Sequence, residues 1–291
     1  MKRGIQEIRR GFDGMDGAGV KLVRVLSQAT INKLDPFLML DVFDSDNYLD
    51  YIAGFPMHPH RGIETITYLI SGAIEHQDSL GNRGTILPGG TQWMTAGSGI
   101  MHQEMPLKSE AMIGFQLWLN MPQKDKMQPP AYREVNEDQM PVYTQPGMTV
   151  RLISGEFGGV QGEVRPDYVS PQIYFVELAA GSSFSKQLPH DDTAFLFIFR
   201  GALQAGETLV EKKNGVLFTP GTDLEVTASE PALFMYIEGP KLDEPVAWGG
   251  PIVMNTKEEL NEAFAELRSG TFLKTSEVRG VETLNKYPNP F

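Results

Sequence analysis

The chain contains no cysteine, which excludes disulfide staples, thiolate metal sites and cysteine nucleophiles together. Positive charge is scarce: 25 lysines and arginines against 37 aspartates and glutamates leave a formal net charge of −12. Such a field repels a phosphate backbone, so direct nucleic-acid contact and docking on an anionic membrane are disfavoured. Long apolar runs are missing too. None exceeds six residues, as from Ala194 to Phe199, far below the ~20 that span a bilayer. The start, Met1-Lys2-Arg3-Gly4-Ile5-Gln6-Glu7, carries no apolar leader segment. No secretory signal is therefore expected, and a cytoplasmic location is.

What is present points to β structure. A length of 291 residues suggests two domains, at roughly 150 residues each. The 30 glycines and 20 prolines suit many short strands joined by turns. Windows such as Ile63 to Ile70, Thr85 to Leu87, Phe115 to Leu119 and Val150 to Ile153 are β-branched or aromatic and end at turn residues. Tyr68-Leu69-Ile70-Ser71-Gly72-Ala73-Ile74 matches Phe197-Ile198-Phe199-Arg200-Gly201-Ala202-Leu203 at an offset of 129 residues. Pro88-Gly89-Gly90 recurs as Pro220-Gly221-Thr222 at an offset of 132. Two matches nearly in register imply a duplicated β-domain. The polar, proline-bearing stretch from Asp125 to Val142 reads as the connection, giving domains 1–130 and 131–291. One helix is expected near the end. Thr256-Lys257-Glu258-Glu259 forms a capping box, Leu260, Ala263, Phe264 and Leu267 make one stripe, and Gly270 stops it.

With thiolates gone, a metal site must use the five histidines and the carboxylates. His58 and His60 are two apart, so an extended segment turns both imidazoles to one face. His102 and Glu104 repeat that spacing after the glycine-rich Ala96-Gly97-Ser98-Gly99. Three imidazoles and a carboxylate suit a divalent first-row metal. Glu64 competes for the carboxylate place, since it shares the parity of His58 and His60 if the strand runs unbroken through Arg61-Gly62. Spacing alone leaves Glu64 and Glu104 both open. His76 has no ligand partner at metal spacing and reads as structural.

The order HxHx3E, glycine, PxG and a later histidine resembles the two-part motif of the cupin superfamily. Asn32 to Phe37, Gly54 to Thr65, Gln92 to Pro106 and Gly250 to Thr256 resemble the pirin family more narrowly, along nearly the whole chain. The resemblance implies an all-β bicupin: two tandem double-stranded β-helix (jelly-roll) barrels with a short C-terminal helix, and metal in the N-terminal barrel only. It implies the ligands His58, His60, His102 and Glu104, and leaves Glu64 beside the metal shell. At the 129-residue offset His58, His60 and Glu64 face Gln187, Pro189 and Thr193, so the second barrel is expected to lack ligands. His190 falls one position out of register and reads as a surface residue.

The resemblance further implies quercetin 2,3-dioxygenase activity, the O2-dependent opening of a flavonol ring with release of carbon monoxide. Glu104 is the candidate base for the flavonol 3-hydroxyl. Phe55, Met57, Trp93, Met94 and Met101 flank the ligands and could wall a flat aromatic substrate, while Arg61 could hold an anion or pair with Glu64. Iron(II) is the expected metal, and manganese, copper, nickel, cobalt or zinc would fit the same ligands. Eukaryotic pirins suggest an alternative, an iron-binding redox sensor and transcriptional co-regulator acting through a protein partner. A metal-binding regulator of a metabolic enzyme is a third. The chain is expected to be a monomer.

Overall fold

The computed structural model describes residues 1–274. Each of its two largest sheets has seven strands and lies beside a four-stranded sheet of the same half. One half orders its large sheet as Ala131–Val135, Thr91–Thr95, Ile63–Ser71, Met112–Asn120, Phe37–Ser45, Val20–Leu26 and Phe12–Asp16. Its smaller sheet runs Phe55–His60, Ile100–Pro106, Ile74–Asp78, Arg83–Ile86. The other half repeats that order strand for strand. Ile5–Arg10, Asn214–Phe218, Thr193–Arg200, Ala232–Gly239, Gln172–Leu178, Met148–Ser154 and Val142–Gln145 form its large sheet, and Ser183–Gln187, Asp223–Ala228, Ala202–Ala205, Thr208–Glu211 the small one. The duplication expected from two short matches thus extends to the whole topology, as two cupin barrels.

The two compact units are discontinuous. One holds residues 1–12, 31–36 and 138–242, the other 13–30, 37–137 and 243–291. A single cut at 130/131 assigns each terminal segment differently. The cause is strand pairing: Ile5–Arg10 pairs with Asn214–Phe218, the place that Ala131–Val135 fills beside Thr91–Thr95. The stretch expected as a connection therefore contains a strand. Its exposed edge tolerates the polar residues that made it read as a linker.

Burial of alternate residues drives both barrels. In the 138–242 unit Tyr174, Phe184, Leu196, Phe234 and Tyr236 belong to one buried cluster. In the other, Val20, Leu22, Phe43, Tyr51 and Leu69 form such a cluster, with Phe55 packed against it. The helix runs Lys257–Ser269 as expected. Thr256 accepts from the Glu259 amide, the reciprocal capping bond is made, and Gly270 ends the helix at φ 74°. Its stripe packs on Ile252, Met254 and Phe272.

Candidate metal centre

The strand Phe55–His60 lies at the edge of its sheet, where Pro56 and Pro59 cost no ladder bond. Its alternation turns His58 and His60 to one side. Across the ladder His58 stands opposite His102. The ring centroids of His58 and His102 are 4.3 Å apart, those of His58 and His60 4.8 Å, and those of His60 and His102 5.0 Å. One nitrogen from each imidazole falls within 4.8 Å of the others.

Hydrogen bonding fixes which nitrogens carry protons. His58 Nδ1 lies 2.9 Å from the Pro56 carbonyl and His60 Nδ1 3.0 Å from the Pro251 carbonyl. A carbonyl only accepts, so both Nδ1 atoms donate and each neutral ring leaves its Nε2 lone pair free. Those two Nε2 atoms face each other at 3.1 Å. Burial holds His58 below the usual histidine range and His60 and His102 well below it, so protonation does not supply the missing hydrogen. Among the described residues, neither nitrogen of the buried His102 has a hydrogen-bond partner. Opposed lone pairs and an unpartnered buried imidazole are unfavourable unless a cation lies against them. The residues present fit a divalent metal.

Glu104 follows His102 on the same strand face and is buried. Gln116 Nε2 donates to its two oxygens at 3.0 and 2.8 Å, and Thr67 Oγ1 donates at 3.2 Å. Trp118 Nε1 in turn donates to Gln116 Oε1 at 3.2 Å, and its ring stands edge-on to His60 at 4.9 Å. Each carboxylate oxygen retains acceptor capacity beyond these bonds. Gln116, Thr67 and Trp118 were not among the expected site residues. Gln116 left one signal, as the lone polar residue in Phe115-Gln116-Leu117-Trp118-Leu119.

Glu64 is placed elsewhere. The strand breaks after His60 and resumes at Ile63, with Gly62 at φ 77° between them. Thr67, which reaches Glu104, is odd-numbered on the resumed strand, so Glu64 points to the opposite sheet face. There it accepts from Thr95 Oγ1 at 2.6 Å. The buried guanidinium of Arg61 lies 2.7 Å from Glu266 and donates to the Phe272 carbonyl at 2.8 Å. Phe55 packs with Phe43, 6.2 Å between centroids. Trp93 and Met94 are buried and alternate, so only Met94 shares the sheet face of Thr65 and Thr67. Met57 and Met101 are half-buried and alternate with the ligands on their strands.

His76, expected to be structural, is buried. Its ring lies 5.4 Å from that of His102 and stacks on Tyr132 at 4.5 Å, and its Nε2 meets Asp78 at 3.1 Å. His190, as expected, is exposed and bonds Asp191.

The second barrel replaces the site. Pro106 pairs with Ile74 in one unit as Ala228 pairs with Leu203 in the other. Counting back, Leu224 takes the place of His102 and Val226 that of Glu104, while Lys186, opposite Leu224, takes that of His58. The 129-residue offset gave Gln187 for that place. The ladder shows Lys186 instead, one residue away, and Leu224 and Val226 belong to the apolar core.

Two family models match the chain: Pirin over residues 19–119, and Pirin C-terminal cupin domain over residues 173–273. A protein of Pseudomonas aeruginosa named as a putative quercetin 2,3-dioxygenase is 41% identical over 278 residues, covering 92% of this chain and 97% of its own. Human pirin is 36% identical over 262 residues, covering 87% and 88%. A crystal structure named as quercetin 2,3-dioxygenase from Acinetobacter baumannii matches with a TM-score of 0.85 and 29% identity, over 94% of this chain and 99% of that one.

Proposed function

The chain belongs to the pirin family, and on that premise we propose that it is a metal-dependent dioxygenase that opens a flavonol-like aromatic ring with O2 and releases carbon monoxide. His58, His60, His102 and Glu104 hold the metal in this reading, with iron(II) the resident ion. The observation that carries it is the pair of opposed Nε2 lone pairs of His58 and His60 beside the unpartnered His102. A divalent metal bound there supplies Lewis-acid polarisation and exchangeable coordination positions.

The chain's own residues do the rest. The Pro56 and Pro251 carbonyls hold two imidazoles in the tautomer that offers Nε2. Glu104 accepts the proton of the substrate hydroxyl, and Gln116 fixes the carboxylate in plane for that transfer. Met94 contributes apolar surface on the same sheet face as Thr65 and Thr67.

The test is reconstitution with iron(II), addition of a flavonol in air, and measurement of flavonol absorption together with carbon monoxide. Loss of absorption with stoichiometric carbon monoxide is expected, and His58→Ala should abolish both metal and turnover. Loaded protein that turns over no flavonol with iron, manganese, copper, nickel or cobalt overturns the dioxygenase reading and leaves a non-enzymatic metal-binding regulator.

A further inference from the structure

The carbonyl that orients His60 comes from Pro251, 191 residues along the chain. Pro251 belongs to a segment fastened to the metal-bearing strand end at several points. The Val253 amide donates to the Arg61 carbonyl at 3.1 Å. Buried Lys126 Nζ bridges the Gly62 and Val253 carbonyls at 2.7 and 3.0 Å. Arg61 reaches the far end of the segment, with Nη1 2.7 Å from Glu266, Nη2 on the Phe272 carbonyl and Cζ 4.2 Å from the Phe272 ring centroid. Trp248 lies 5.8 Å from Trp118, the indole that stands against His60.

We propose that residues 247–272 are a positioning strap for the metal centre, coupled to it through the Pro251 carbonyl and locked by Arg61. The proposal rests on the reading that His58, His60 and His102 bind metal. Without the Pro251 acceptor, the His60 ring is free to rotate and to place its proton on Nε2, the nitrogen the metal needs. Arg61, adjacent to His60, carries a buried charge whose ionic partner is Glu266 on the helix. Loss of that partner leaves the guanidinium uncompensated and loosens the strap where it meets the ligand strand. Coupling of this kind is reciprocal: whatever the docked strap adds to metal affinity, bound metal adds to docking. Arg61, Glu266 and Pro251 are then positioning residues, acting on the metal through His60.

Two measurements on the full-length protein test this, with nickel(II) as an air-stable probe. Hydrogen exchange of wild-type protein with and without nickel should show slower exchange across 247–272 in the loaded form, including the Val253 amide. Competition with a chromogenic chelator should show Glu266→Gln binding nickel at least tenfold more weakly than wild type, with altered ligand-field bands. Phe272→Ala, which removes the ring beneath Arg61 but keeps the carbonyl, should show a smaller loss. Leu22→Ala provides the control, since it weakens the core of the same unit away from the strap and should leave nickel affinity within twofold. Wild-type protein that binds no nickel overturns the metal reading and the strap with it. Nickel binding without slower exchange in the strap, wild-type affinity in Glu266→Gln, or an equal loss in Leu22→Ala overturns the strap alone. If Glu266→Gln does not fold, the wild-type exchange experiment decides.

Discussion

Gln116 Nε2 donates to the Glu104 carboxylate and to Thr67 Oγ1, while its carbonyl takes the Trp118 indole N–H. A leucine there keeps the volume but leaves the carboxylate held by Thr67 and strands the indole donor. Gln116→Leu should therefore weaken nickel binding by 10- to 100-fold, the usual cost of losing such an outer partner. Chelator competition measures it, and an unchanged affinity would remove Gln116 from the site. Lys126 makes a different kind of demand. Its Nζ donates to two backbone carbonyls and to Asn120 Oδ1, with no ionic partner among those bonds. Burial lowers its pKa to about 7 against the opposing effect of Glu244 and Glu259. Between about 7 and the ordinary lysine value the unfolded chain holds a proton that the folded chain has released. Stability from this group should then rise with pH through that window and be flat below about 7, by ~2 kcal/mol between pH 7 and 8.5. Urea unfolding at several pH values should show the slope in wild type and its loss in Lys126→Met.

At the level of strands, the break at Gly62 separates the ligand-bearing edge strand from the long strand that follows it. Gly62 has φ 77°, and a Cβ there would come within 2.0 Å of the Val253 carbonyl oxygen. Gly62→Ala should cost more than 3 kcal/mol, read as a fall in the urea midpoint, and should lower metal content with it. The same break marks where the sequence stopped being readable. Strand alternation, which acts over two residues, paired His58 with His60 and His102 with Glu104, while the choice between Glu64 and Glu104 came only from the family resemblance. Whether Glu64 belonged with them depended on one glycine's conformation, which two letters do not convey. Gln116 and Thr67 stand opposite each other in the seven-stranded sheet and reach Glu104 in the four-stranded one, a meeting of two sheets that strand alternation does not convey, and Pro251 contributes a backbone carbonyl that every residue type possesses. The helix was legible to its caps, since Thr256, Glu259 and Gly270 act locally. The strand Ala131–Val135 was not, because an edge strand accepts a polar sequence.

Across the whole molecule one topology is used twice, and the places of His58, His102 and Glu104 in one unit are taken by Lys186, Leu224 and Val226 in the other. A ligand that binds only folded protein should therefore stabilise the unit that carries the histidines. The chain supplies a reporter for that unit: its three tryptophans, Trp93, Trp118 and Trp248, all fall within residues 37–137 and 243–291. Trp118 also touches His60 directly. Free nickel at 100 times its dissociation constant stabilises the binding-competent fold by ~2.7 kcal/mol, which for a unit of this size corresponds to a rise of roughly 5–10 °C in the melting midpoint. Thermal unfolding followed by tryptophan fluorescence should show that rise in wild type and none in His102→Ala. The comparison separates binding at the three imidazoles from binding elsewhere, because the acidic surface also attracts divalent cations but does so in both proteins. A midpoint that moves equally in His102→Ala would place the nickel on that surface. A midpoint fixed in both, with nickel bound, would mean that the ion gains nothing from the folded cluster, and the opposed lone pairs of His58 and His60 would need another cause.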